Sequence, residues 1–111
     1  MPTLHQQGCV DVLTLDDRFT ADNVDEARGA LMPSFDSGLP QVVLDLRKVK
    51  FVDSAGLELI CEMHAECRRR GGELRLAAPG RLVRDVLSIT GLASQLAIAD
   101  DALAAAGEFT Q

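Results

Sequence analysis

The chain has 111 residues, 47% of them hydrophobic and 25% charged, with a formal net charge of −6. Those values describe a single globular domain over 1–111, able to bury roughly 65% of its unfolded surface. They exclude nucleic acid as the expected partner, because the acid excess repels phosphate and a chain without tyrosine or tryptophan lacks stacking platforms.

The first segments, around Leu4–Gln6 and Val10–Leu15, alternate weakly and read as edge-side strands. Thr20 or Asp22 then caps a helix from Asn23 to about Met32, which Pro33 is expected to stop. Ser37-Gly38-Leu39-Pro40 is a turn, and Val42-Val43-Leu44-Asp45-Leu46 a strand covered on both faces. A second helix runs from about Ser54 to Arg70, where Arg68-Arg69-Arg70 suit a helix C-terminus and Gly71-Gly72 end it.

Glu73 to Ala78 alternates as a strand, Pro79-Gly80 turns, and a third helix covers Arg81 to Ile89 with Gly91 as its cap. Leu96-Ala97-Ile98 is a short last strand, followed by a short helix from Asp100 to Ala106. The order ββαβαβαβα implies an α/β fold with parallel neighbours joined by right-handed crossovers.

No run approaches the ~18 apolar residues of a membrane span, and the N-terminus lacks the features of a signal peptide. A cytoplasmic protein without direct membrane insertion is therefore expected. The three cysteines form no paired spacing, and no metal-ligand spacing occurs, so neither disulfide, metal nor cofactor is expected.

Around the second helix, at about 100° per residue, Leu57, Ile60, Cys61, Met63, His64 and Cys67 gather on an apolar side. Glu58, Glu62, Glu66 and Arg69 gather opposite. Leu59 falls beside Glu62 and Glu66, which makes it a candidate exposed contact for a partner.

The most informative run is Phe51-Val52-Asp53-Ser54-Ala55-Gly56-Leu57, which joins the central strand to this helix. It sets a serine hydroxyl at a helix N-terminus, where unpaired N–H groups and a partial positive charge tolerate phosphate. Ser54 or Asp53 could simply cap the helix. A nucleophilic serine would need a glycine at position 52 and a positioned base; the chain has Val52 and only His5 and His64. Covalent regulation by phosphorylation needs neither. In that reading the Asp53 carboxylate accepts turn N–H groups and orients the Ser54 hydroxyl.

Val43-Leu44-Asp45-Leu46, Val49 and the Phe51–Leu57 run together resemble the central signature of STAS domains. Gly71-Gly72-Glu73-Leu74 and Val86-Leu87-Ser88-Ile89-Thr90-Gly91-Leu92 resemble its two later landmarks, so the resemblance covers nearly the whole chain. As a free-standing domain the chain looks most like a bacterial anti-sigma factor antagonist. The resemblance implies a four- or five-stranded mixed sheet with about four helices, mostly on one side.

It further implies a non-enzymatic partner switch. The unmodified antagonist binds an anti-sigma factor that is also a serine kinase, and so frees the sigma factor. Phosphorylation of Ser54 ends binding, and a serine phosphatase restores it. Asp53, Gly56 and Asp17 would support the phosphosite, Asp17 from the loop before the first helix. Glu58, Leu59, Glu62 and Glu66 would contact the partner. The same Asp-Ser-Ala-Gly-Leu run also occurs in STAS subunits of phospholipid-transport ABC complexes, which bind a transporter ATPase without phosphorylation; that is the alternative.

Overall fold

The computed structural model describes residues 2–7, 9–36 and 38–100. Strand β1 (Thr3–Gln7) pairs antiparallel with β2 (Val10–Phe19), in register Thr3 to Thr14. Then come β3 (Gln41–Val52), β4 (Glu73–Ala77) and β5 (Ala97–Ala99), each parallel to the strand before it. The sheet order is therefore β1-β2-β3-β4-β5. Helices α1 (Val24–Asp36), α2 (Ser54–Arg69) and α3 (Arg81–Ile89) form the three crossovers.

Right-handed crossovers taken in one direction along a sheet put every connecting helix on the same face. The core obeys that rule. Leu13, Leu15, Val42, Leu44, Leu46, Leu74 and Leu76 project from alternate strand positions into one cluster with Leu31, Phe35, Leu59, Ile60 and Leu87 of the helices. The intervening residues Val10, Val12, Val43, Ala77 and Ala99 form a separate cluster with no residue from these helices. The mixed five-stranded α/β architecture is the expected one. The expected helix after Asp100 falls on residues 101–106, outside the described residues.

Three features differ from expectation. Helix α1 continues through Pro33 to Asp36. An interior proline costs about 3 kcal/mol, but here its ring faces water while Leu31, Ser34 and Phe35 on either side are buried. Ser34 Oγ also bonds Asp11 Oδ2 on β2, and Arg70 Nη1 donates to the Phe35 carbonyl at 2.7 Å. Tertiary packing holds the last turn in place.

Strands β2 and β3 extend past the apolar runs to Phe19 and Val52, through register shifts between Thr14 and Asp16 and between Asp17 and Arg18. Each bulge resets which residue faces inward, so Val49 and Val52 stay buried while Lys48, Lys50 and Phe51 face out. Asp17 therefore lies in β2 opposite Val49, with φ of 63°, and not in the loop assigned to it.

The third difference is the rotation of α2. Its buried residues are Gly56, Leu59, Ile60, Met63 and Cys67. Leu59 is 1% exposed and packs in the core, whereas Cys61 is exposed and Leu57 only half-buried. Gly56 sets this rotation. A Cβ there would lie 2.3 Å from the Phe19 carbonyl oxygen, so the glycine edge of the helix seats directly on backbone. The residues three, four and seven positions on must then follow it inward.

Candidate functional site at the start of the second helix

Asp53 is the N-cap of α2, with extended backbone at φ −100° and ψ −174°. Its Oδ1 accepts the Gly56 N–H at 3.0 Å, and its Oδ2 accepts the Ala21 N–H at 3.1 Å. Its own N–H donates to the Phe19 carbonyl at 3.3 Å. One residue thus ties the start of α2 to the segment that leads into α1. Hydrogen bonds from Gly56 and then from Ala21 hold the Asp53 carboxyl below its ordinary value, so it is a carboxylate. Each oxygen accepts one backbone N–H, so the carboxylate holds the loop and keeps a free lone pair on each oxygen.

The loop it meets is itself well ordered by hydrogen bonds. Thr20 N–H donates to Asn23 Oδ1 at 2.8 Å, and Asn23 Nδ2 donates to the Arg18 carbonyl at 2.6 Å. Val24 N–H donates to the Thr20 carbonyl at 3.0 Å, which makes Thr20 the entry to α1.

Ser54 is exposed as the first helical residue, and its hydroxyl has no hydrogen-bond partner among the described residues. Capping is done by Asp53, so the serine is free for chemistry. An open groove of about 520 Å³ lies beside it, lined by Ser54, Leu57, Glu58, Cys61, Glu62, Thr90 and Leu92. Thr90 is the C-cap of α3, and Leu92 opens a short 3-10 helix just after Gly91, which takes the left-handed conformation with φ of 83°, as its place after the helix requires. Ile89, the chain neighbour of the groove residue Thr90, is 84% exposed.

The site residues expected from sequence separate into two groups. Ser54, Glu58 and Glu62 come together on the groove, with Asp53 and Gly56 supporting them. Glu62 is held by Arg28 Nη2 at 3.1 Å, and Arg28 also pairs with Asp25 at 2.8 Å. Leu59 is excluded from any surface by its burial. Glu66 lies farther along the helix, bound by Arg69 and by Arg70 Nε at 2.7 Å, which pulls its carboxyl down to about 2. The Asp17 carboxylate is exposed and loosely paired with Arg18 at 3.9 Å.

Sequence reasoning missed Leu57, Cys61, Ile89, Thr90 and Leu92 as groove or rim residues. Ile89-Thr90-Gly91-Leu92 was legible as a landmark, but only the fold brings it against α2. Arg68-Arg69-Arg70 is absorbed by structure: besides binding Glu66, Arg70 lies over the Phe35 ring, 5.9 Å from its centroid. No described residues form a cluster suited to a metal, and no described helix is long and apolar enough to cross a membrane.

Comparisons with known proteins agree with this geometry. BtrV of Bordetella bronchiseptica, assigned as an anti-sigma factor antagonist, is 33% identical over 87 residues, covering 78% of this chain and 75% of BtrV. The structure of TM1081 of Thermotoga maritima, assigned likewise, superposes with a TM-score of 0.92 at 22% identity, over 99% of this chain and 95% of its own. The anti-sigma factor antagonist SpoIIAA in its unphosphorylated form gives 0.82 at 19% identity, over 100% and 98%. SpoIIAA from Bacillus in its phosphorylated form gives 0.72 at 20% identity, over 90% and 92%. The family model for the STAS domain matches residues 1–105. The chain belongs to the STAS domain family.

Proposed function

We propose that this protein is a cytoplasmic anti-sigma factor antagonist that works by partner switching. Its unphosphorylated form binds an anti-sigma factor that is a serine kinase, and the sigma factor is released. Phosphorylation of Ser54 ends binding, and a serine phosphatase restores it. The observation that carries this reading is the exposed, unpartnered Ser54 hydroxyl on a rigid helix start, at the rim of an open groove. BtrV, whose chain matches over most of its length, supports the antagonist assignment over the phospholipid-transport alternative.

The chemistry is binding and not turnover. The groove brings no histidine to Ser54, and its titratable lining is Glu58, Glu62 and Cys61. A phosphate on Ser54 adds about 1.5–2 negative charges. Within ~6 Å of one partner carboxylate, at an effective dielectric of ~40, that is roughly 2–3 kcal/mol of repulsion. A change of that size lowers affinity by about 30- to 150-fold without refolding the domain. Leu57 and Ile89 supply the apolar contact, while Glu58 and Glu62 favour a partner with a basic rim.

The test is phosphorylation and binding with the purified cognate anti-sigma factor. Mass spectrometry should place one phosphate on Ser54. Ser54→Ala should bind and resist modification, and Ser54→Asp should bind more weakly than wild type. Equal phosphorylation of wild type and Ser54→Ala would sink the assignment.

A further inference from the structure

Just before Ser54, Phe51 leaves 51% of its surface in water, although Val49 and Val52 on the same strand are buried. Two cationic residues are its backbone neighbours in the sheet. Lys50 is its neighbour in the chain, and Arg18 is its register partner on β2. In a chain of net charge −6, both lysines, 48 and 50, lie on this end of β3.

The local acids do not neutralise all of this. Lys48 lies opposite Asp16, and Arg47 Nη2 is 4.0 Å from the buried Asp45. Arg18 keeps a loose 3.9 Å contact with Asp17, both side chains more than half exposed, an arrangement worth little. Lys50 makes no ion pair with a described residue. The trio is also rigidly connected to Ser54, because Phe19 and Val52 are the next pair along and Asp53 N–H bonds to the Phe19 carbonyl. None of the three lines the groove.

We propose that Phe51, Arg18 and Lys50 form a second contact point for the same partner protein, receiving an apolar pocket edged by carboxylates. The inference rests on the reading of Ser54 as the centre of a partner-binding face. An exposed aromatic ring with flanking cations has the composition of an interface anchor. A nucleic acid or an anionic membrane is the poorer occupant, since two cations are few and the chain's overall charge repels a polyanion. An acid-edged partner at this end also meets phosphate on Ser54 with like charge, the sign the switch needs. The docking face is then two-signed: acids along the groove and cations at the strand end fix the partner's orientation.

The experiment measures association and dissociation of the purified cognate anti-sigma factor, with each variant first checked for an unchanged melting temperature. Phe51→Ala should raise the dissociation rate about tenfold or more. The charge reversal Arg18→Glu with Lys50→Glu should slow association several-fold at ~50 mM salt, and the difference should shrink at ~300 mM. If wild type binds and both variants match it, the inference is overturned while the functional reading stands. If wild type does not bind, the functional reading fails and the inference falls with it. Wild type is also sedimented with phosphatidylglycerol–phosphatidylcholine vesicles and titrated with a single-stranded oligonucleotide. Binding to either that the double reversal abolishes would overturn a protein partner for this patch.

Discussion

Asp53 and Ala21 are 32 positions apart in the chain, yet the Ala21 N–H donates to Asp53 Oδ2 at 3.1 Å. With the Gly56 N–H on Oδ1, this makes the Asp53 carboxylate a brace between the start of α2 and the approach to α1. The signature aspartate therefore shapes the surface around Ser54 from two elements at once.

Asp53→Asn tests the brace. An amide retains one acceptor oxygen, so it can keep the Gly56 bond or the Ala21 bond but not both. The variant should fold, exchange the Ala21 amide hydrogen faster than wild type, and be phosphorylated more slowly at Ser54. Unchanged protection at Ala21, measured by hydrogen exchange, would remove the brace from the mechanism.

Gly56→Ala sets two opposed effects against each other. Alanine in a helix normally gains about 1 kcal/mol over glycine. Here its Cβ would meet the Phe19 carbonyl oxygen at 2.3 Å, and backbone can yield little. Overpacking of this kind costs about 1–3 kcal/mol, so denaturant unfolding should show a net loss of stability. A more stable variant would mean that α2 can lift from β2.

Leu59 and Ile89 should behave as opposites. Leu59→Ala removes a side chain that is 1% exposed and should cost about 2–5 kcal/mol in unfolding experiments. Ile89→Ala changes a residue that is 84% exposed, so stability should move by less than about 0.5 kcal/mol. Partner affinity should fall for Ile89→Ala and, in folded protein, change little for Leu59→Ala. The reverse pattern would place the docking face elsewhere.

Glu66 carries a pH dependence with a defined sign. Its carboxyl is lowered from 4.5 to about 2 by hydrogen bonds from Arg69 and Arg70. A depressed folded value means that the contribution is fully present above pH 4.5 and is lost as pH falls toward about 2. Thermal melts of Glu66→Gln should lie slightly below wild type at neutral pH, and the two should converge in that acid window. A gap that persists at the acid end would point to packing and not charge.

Much of the fold was legible because local rules and tertiary demands coincide. The apolar run 42–46, the alternation after Glu73 and the left-handed position of Gly91 each carry their own signal in the order of side chains. The start of α2 at Ser54 was legible for the same reason, since Asp53 and Ser54 mark a helix start wherever they occur before an amphipathic run. Pro33 shows where such rules lose: a local preference of a few kcal/mol yields when Phe35 and Leu31 bury a whole side chain each.

The amino-acid sequence by itself determined the strand and helix order, the parallel pairing of the strands that helices connect and the serine at the helix start, since periodicity and capping act over a few neighbouring residues. Only the tertiary structure decided which way α2 turns. Its rotation follows from a contact between Gly56 and the Phe19 backbone, two sites far apart in the chain. That contact sends Leu59 into the core and leaves Leu57 and Cys61 facing Thr90 and Leu92 across a groove. The expected and observed buried faces of α2 share Ile60, Met63 and Cys67, an overlap that an apolar stripe about 100° wide permits, so hydrophobic patterning leaves the rotation open and steric contact closes it.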